Sequence, residues 1–300
     1  MKHLLKMLDL SKKEITKILN LADQLKYEQK HGILHRHLEG KTLGMIFQKA
    51  STRTRVSFEV GMYQLGGKSL FLSANDLQIG RGEAIEDTAR VLSRYLDGIM
   101  IRTFEQNEVE QLSLIGSIPI INGLTDFEHP CQILADLMTI REHKSKLEGL
   151  KAAFIGDGNN VMNSFIVGGL KTGMNVSVAC PKGYEPPQSI FEFAAAYDNF
   201  EMFTDPKQAV KDADVVITDV WASMGQENEQ AVRAEAFAGY SVDEELMKLA
   251  KPDAMIQHCL PAHKGEEISY ETFEKHADEI FDEAENRLHV QKAVMVMLMK

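Results

Sequence analysis

The 300-residue chain carries only three cysteines, one tryptophan and eight prolines, and no tract of low complexity. Cys131, Cys180 and Cys259 are too few and too scattered for a disulfide framework, which points to a reducing compartment. Long apolar runs are missing too: "AVMVMLM", the longest late one, is far too short to span a bilayer. The opening "MKHLLKMLDLSKKE" has neither a long apolar core nor a small-residue cleavage site, so no signal peptide is read there. A soluble, cytoplasmic protein is expected. Positive charge is in deficit: 33 Lys and Arg against 44 Asp and Glu leave −11, which argues against nucleic acid or an anionic membrane as the main partner. A small anionic substrate remains compatible, because a few clustered arginines can dominate locally.

What is present is apolar content sufficient for real cores, at 44% hydrophobic residues, over a length that suits two domains. Short β-like runs alternate with longer helical stretches, which favours an α/β chain of two domains, each a mostly parallel sheet flanked by helices. "SKKEITKILNLADQLKYEQK" opens with Ser11 and Glu14 in capping-box spacing and carries Ile15, Ile18, Leu19 and Leu25 as a stripe. "TLGMIF", "GIMI" and "IPIIN" read as strands, Val56 to Leu65 as a helix, and "HPCQILADLMTIREH" as another. From about Lys146, "KAAFIGDGNNVMNSFIVGGLKTGMNVSVAC" reads as a βαβ crossover, "ADVVITDV" and "DAMIQHCL" as later strands, and "RLHVQKAVMVMLM" as a terminal helix. Hinges are placed near 140–146 and near 285. The unusual polar segments all fall at strand ends, where open parallel sheets bind ligands.

One such segment is "STRTR", Ser51 to Arg55. A helix N-terminus offers unpaired N–H groups, to which Ser51, Thr52 and Thr54 add hydroxyls and Arg53 a fork suited to phosphate oxygens. The plainer reading is that Ser51 caps the helix while the arginines pair with Glu59 or another acid; Arg55 suits that structural role better. In "HPCQ", Pro130 suits a first helical turn, leaving His129 at the mouth of a strand, as a carbonyl donor or a satisfied core histidine. "GDGNN" lacks the third glycine of a dinucleotide fingerprint, since Val161 stands there, so NAD binding is disfavoured. Asn159 and Asn160 could bind a carboxylate or amino group, or tolerate a left-handed turn. "HCLPAH" suggests a metal or a thiol nucleophile, but no second Cys/His pair and no third orienting residue can be found for either. "DVWASMG" joins a strand-end acid, Asp219, to the only tryptophan, as a binding turn or as an ordinary loop anchored by Trp221.

Taken in order, "STRTR", "QIGRGEAIEDTARVLSRY", "HPCQ", "GDGNN", "DVWASMG", "HCLPAH" and "ENRLHVQKA" resemble the ornithine carbamoyltransferases, within the wider aspartate/ornithine carbamoyltransferase family, over essentially the whole chain. The resemblance implies a carbamoyl-phosphate domain, 1–141, to which a C-terminal helix, 287–300, returns, and an ornithine domain, 142–286. It implies carbamoyl transfer to the δ-amine of L-ornithine, giving L-citrulline and phosphate, as in arginine biosynthesis or citrulline metabolism. No metal and no cofactor are implied. Ser51, Thr52, Arg53 and Thr54 would cradle the phosphate, with Arg287 closing that side. Arg102, His129 and Thr54 would hold the carbonyl oxygen. Pro130, Cys131 and Gln132, with Cys259 and Leu260, would complete the carbamoyl contacts. Asn160, Asp219, Ser223 and Met224 match the ornithine-binding positions, and Cys259 lies by the δ-amine. Gln78 matches a ligand supplied by a neighbouring subunit, which implies a trimer or a multiple of it. Ala262 stands where some members carry arginine. Aspartate as acceptor would demand extra cations, which "SANDLQIGRGE" and Ala262 do not offer. The same motifs are compatible with putrescine as acceptor, or with a non-catalytic phosphate- or amino-acid-binding protein on this scaffold.

Overall fold

The computed structural model describes residues 1–74, 77, 82–222 and 227–300. It divides into two compact units, Met1–Met138 with Asn286–Lys300, and Thr139–Glu285. Gln78, Ser223 and Met224 lie outside the described residues.

In the first unit, Ser11 caps helix α1 (Lys12–Lys30) through the expected box with Glu14, and Ile15, Ile18, Leu19 and Leu25 are buried. Strand β1 (Thr42–Phe47) leads into α2 (Thr52–Gln64), followed by β2 (Lys68–Ser73), α3 (Ile85–Leu92), β3 (Gly98–Arg102), α4 (Gln106–Ile115), β4 (Ile120–Leu124) and α5 (Pro130–Lys144). The four strands pair in parallel in the order β2-β1-β3-β4. The chain therefore reverses direction across the sheet between β1 and β3, where Phe47 is in register with Arg102. That reversal opens a crevice at the carboxyl ends of two central strands. Helix α2 begins at Thr52, four residues before the apolar pattern does, because the Ser51 side chain accepts from Thr54 N–H and caps a first turn made wholly of polar residues. Strand β2 escaped the sequence pattern since its residues are exposed or half-buried at the sheet edge, and its apolar run is only Leu70–Leu72, set among polar residues.

The second unit contains β5 (Lys151–Ile155), α6 (Asn160–Thr172), β6 (Asn175–Ala179), α7 (Gln188–Ala194), β7 (Phe200–Phe203), α8 (Pro206–Val210), β8 (Val215–Thr218), α9 (Gln230–Ala236), α10 (Glu244–Met247), β9 (Met255–His258) and α11 (Tyr270–Lys275). Its five parallel strands run β7-β6-β5-β8-β9, with the reversal between β5 and β8. Gly173 takes φ 85° at the end of α6, a left-handed cap that only glycine adopts cheaply. Strand β7 is again a half-exposed edge strand, missed for the same reason as β2.

Helix α12 (Ala277–Met299) starts ten residues earlier than "RLHVQ" suggests, because the acidic segment before it is helical with Ile280 and Glu283 turned inward. Its last half belongs to the first unit, where Lys292 Nζ donates to Gln64 Oε1 at 2.9 Å and Lys26 Nζ to Asn286 Oδ1 at 2.8 Å. Gly61 and Gly98 admit this helix: a Cβ on Gly61 would come within 2.9 Å of the Met295 side chain, and one on Gly98 within 3.1 Å of Met299. Among the described residues, no helix is long and apolar enough to cross a membrane.

Candidate active site

At the β1–β3 switch point the polar groups of the first unit converge on Thr54. Arg287 Nη2 donates to Thr54 Oγ1 at 3.3 Å and Arg102 Nη1 reaches the same oxygen at 3.5 Å. Ser51 Oγ donates to it at 3.1 Å while accepting from Thr54 N–H at 3.2 Å, so capping and clustering are one arrangement. Arg287 Nη1 also donates to Gln132 Oε1 at 2.5 Å, and Gln132 Nε2 to Asp136 Oδ1 at 2.8 Å, which orients the buried amide. Thr52 and Arg53 are exposed on the first turn of α2. Helix α5 opens at Pro130 directly after His129.

His129 is buried, and burial first, then the charges of Arg287, Arg102 and Arg53, hold its pKa well below 6.5. It is therefore a neutral imidazole, one nitrogen of which carries a proton it can donate without adding charge. Cys131 faces away: its Sγ donates to Asn122 O at 3.4 Å, and burial pushes the thiol up to about 12. Arg55 is the fold-side arginine. Its Nε meets Glu59 Oε1 at 2.9 Å on the surface, and its guanidinium lies 3.8 Å from the Phe71 ring centroid.

At the β5–β8 switch point the second unit presents the opposite charge. Asp219 is buried at the end of β8; its Oδ2 accepts from Asn159 Nδ2 at 2.8 Å and its Oδ1 from Cys259 Sγ at 3.0 Å. Asn159 does not adopt a left-handed turn. It is the N-cap of α6 at φ −85°, and its Oδ1 accepts from Val161 and Met162 N–H. Its side chain is thus committed to the helix and to Asp219, while Asn160 begins α6 with its residue buried.

"HCLPAH" does not assemble a Cys–His nucleophile pair. His258 Nδ1 accepts from Leu260 N–H at 2.9 Å, which puts the ring proton on Nε2, 3.0 Å from buried Glu267 Oε1. The backbone N–H of His258 donates to Glu283 Oε2 at 2.9 Å, fixing the end of β9. Asp219, His258 and Cys259 do offer ligand atoms within 4.8 Å of one another, but both nitrogens of His258 are already engaged. Leu260 holds φ 58°, a conformation costly for a branched residue, ahead of a cis peptide to Pro261. The His263 ring pairs on the surface with Glu266 at 3.6 Å, while its backbone N–H donates at 2.6 Å to the Glu267 Oε1 that His258 meets.

A residue that sequence reasoning passed over is Arg233, on α9. It is 7% exposed, and its Nη1 donates to Asp157 Oδ2 at 3.0 Å and to Trp221 O at 2.8 Å. Burial pushes Asp157 up to about 6, with Arg233 opposing that rise. In the sequence Arg233 looks like a surface helix residue facing Glu229 one turn back; the only hint was an arginine four residues before Phe237, close to the only tryptophan.

Residues 2–142 match the model of the aspartate/ornithine carbamoyltransferase carbamoyl-P binding domain, and residues 148–298 that of the Asp/Orn binding domain of the same family. The chain belongs to the aspartate/ornithine carbamoyltransferase family. Among its relatives, an ornithine carbamoyltransferase of Geobacter metallireducens is 54% identical, covering 100% of this chain and 99% of that one. Another, from Thermococcus kodakarensis, is 55% identical over 97% of this chain and 94% of its own length. The solved ornithine carbamoyltransferase from Pyrococcus furiosus superposes with a TM-score of 0.95 at 52% identity, covering 99% of this chain and 97% of that one.

Proposed function

We propose that this chain transfers the carbamoyl group of carbamoyl phosphate to the δ-amine of L-ornithine, giving L-citrulline and phosphate. The observation that carries the reading is the division of charge between the two switch points: arginines and a neutral imidazole around Thr54 at one, a buried carboxylate beside a thiol at the other. Carbamoyl phosphate is an anion with a carbonyl to polarise, and ornithine carries an α-ammonium that needs a counter-ion.

In this reading the α2 N-terminus, with Ser51, Thr52, Arg53 and Thr54, and Arg287 bind the phosphate. Arg102, His129 and the Thr54 hydroxyl donate to the carbonyl oxygen as it gains charge, and a neutral His129 does so without repelling the neighbouring arginines. Gln132, held by Arg287 and Asp136, takes the carbamoyl NH2, together with main-chain groups of Pro130, Cys131, Cys259 and Leu260. Asp219 pairs with the α-ammonium of ornithine; among the described residues its carboxylate accepts from the Asn159 amide and the Cys259 thiol. Asn160, Ser223 and Met224 complete that site, and Cys259 positions the δ-amine rather than forming a covalent intermediate. The amine lone pair attacks the carbonyl carbon, phosphate leaves with the C–O bonding pair, and the amine sheds a proton. Because a free alkylamine has a pKa of about 10.4, activity rises towards alkaline pH.

The working unit is a trimer or a multiple of it, with Gln78 serving a neighbouring subunit, in the cytoplasm. Exposed Val56, Val60 and Tyr63 on α2 and Leu70 and Phe71 on β2 support an interface between copies. Light scattering tests that part. The reaction itself is tested by citrulline formation with ornithine, putrescine and aspartate offered in parallel. Putrescine lacks the α-carboxylate, and a site built to pair polar groups rejects such an analogue by about 10⁴ or more. Equal use of putrescine would remove ornithine as the substrate and leave carbamoyl transfer standing.

A further inference from the structure

We infer that Arg233 is a positioning residue for the amino-acid substrate: from α9 it ties the loops that follow β5 and β8 into the one arrangement in which Asp219 is presented. The inference rests on the ornithine reading above and deepens it.

The two strands are neighbours, with Ile155 in register with Thr218 at their ends. Beyond that pair, two ties join the loops among the described residues. The inner tie is Asn159 Nδ2 to Asp219 Oδ2, at 2.8 Å. The outer tie is Arg233, whose Nη1 donates both to Asp157 Oδ2 at 3.0 Å and to Trp221 O at 2.8 Å. Asp157 stands two residues before Asn159, and Trp221 two residues after Asp219. The guanidinium therefore brackets the inner tie on both loops, and neither loop can slide without breaking it.

Helix α9 holds the Trp221 ring as well as its carbonyl. Phe237, four residues beyond Arg233, stacks on Trp221 with centroids 5.7 Å apart and an interplanar angle of 19°. Tyr184 meets Phe237 edge-on at 4.9 Å and lies under the Arg233 guanidinium at 5.0 Å. Arg233 Nε completes its pairing with Glu229 at 2.9 Å. Burying a guanidinium here is costly, and a well-packed apolar residue would serve stability as well or better. What an apolar residue cannot do is donate at once to a carboxylate and a carbonyl; the planar fork can, and lysine, with its point charge, does so poorly. The arrangement specifies loop geometry more than it adds stability. Asp157, burdened by burial, needs that same guanidinium to stay ionised at neutral pH.

The test uses the full-length enzyme with Arg233→Met, Arg233→Lys and Asp157→Asn. For Arg233→Met the ornithine KM should rise roughly tenfold or more, the loss of a charged hydrogen bond, with a smaller rise for Arg233→Lys. Carbamoyl-phosphate affinity, measured by calorimetry, should stay within about twofold, since the groups proposed for its phosphate and carbonyl oxygen, Ser51–Thr54, Arg102, His129 and Arg287, belong to the first unit. Trp221 is the only tryptophan, so acrylamide quenching of its fluorescence without substrate should increase in each variant. Unchanged quenching, an unchanged ornithine KM, or an equal weakening of both substrates would overturn the proposal. If Arg233→Met does not fold, the lysine and asparagine variants decide by the same criteria. If the parent makes no citrulline from ornithine while quenching still rises, the tie stands and the substrate assignment falls.

Discussion

At the β1–β3 switch point the converging side chains are Arg102, Arg287, Thr54, Gln132 and a neutral His129; at the β5–β8 switch point they are Asp219, Asn159 and Cys259, with Arg233 behind them. The same topology has been fitted out for opposite charges, and the fitting differs in kind. In the first unit the cations point at the site, and the imidazole among them is kept uncharged by burial and by their company. In the second, Asp219 is met by neutral donors, and Arg233, the one buried cation of that unit among the described residues, is turned onto backbone and carboxylate groups, where it serves as scaffold. An arginine's role thus follows from what its fork meets, and net charge conveys little: a chain at −11 still gathers Arg102 and Arg287 around Thr54.

The largest effect expected from breaking the contrast is at Asp219. Asp219→Asn keeps the shape and the contact with Asn159 but removes the charge, and should cost ornithine affinity on the order of 3–5 kcal/mol while carbamoyl phosphate binds as before. Isothermal titration with carbamoyl phosphate alone reads the second quantity, and the ornithine KM from steady-state citrulline formation reads the first. Arg102→Ala on the cationic side should instead lower kcat by about 10²–10³, the loss of an oxyanion donor, in single-turnover assays. A smaller and more diagnostic contrast is pH. His129 has a folded pKa below its unfolded one of 6.5, so the unfolded chain takes up the proton first and stability is lost as pH falls below about 6.5. Asp157 is raised from 3.8 to about 6, so the folded chain takes up that proton first, and stability is regained as pH falls from about 6 towards 3.8. Urea unfolding between neutral and mildly acidic pH should therefore show a flatter acid loss for His129→Gln and a steeper one for Asp157→Asn. The smallest effect belongs to Arg55→Ala, where a surface ion pair and a half-exposed ring contact predict a loss of about 1 kcal/mol or less, with citrulline formation unchanged.

How much of this could be read in advance tracks where the information lies along the chain. The proposed phosphate seat is local: a cap, two hydroxyls and an arginine occur within four residues after a strand, so "STRTR" could suggest it, beside the plainer reading of a capped helix with paired arginines. The capping box of α1 and the βαβ unit around "GDGNN" were legible for the same reason. Edge strands β2 and β7 were not, because an edge needs only a short or broken apolar run, Leu70–Leu72 in one and Phe200 to Phe203 around Glu201 in the other. The convergence of Arg287 on Thr54 joins residues 233 positions apart, and no local pattern encodes it; the family resemblance alone pointed there. Arg233 carried no such pointer, as a buried and an exposed helical arginine look alike in one sequence. Asn159 illustrates a third case: the turn was recognised, but its side chain's double commitment to a cap and to Asp219 depends on a partner 60 residues away.

The three thiols sit in different surroundings, and this makes the protein a convenient object for chemistry. Cys131 and Cys180 are buried, with burial pushing both thiols upward, the former to about 12, so neither supplies the thiolate that alkylating reagents require. Cys259 alone is partly exposed, and it touches Asp219. Because its thiol donates to a carboxylate, an alkylating reagent should react with it slowly, and faster at alkaline pH, adding one mass increment per chain at a position beside Asp219. The folded enzyme comes with a single-address attachment point, usable for a fluorophore, a spin label or a mass tag with no engineered cysteine, and shielding of that address by a bound amino acid becomes a readout of occupancy independent of turnover.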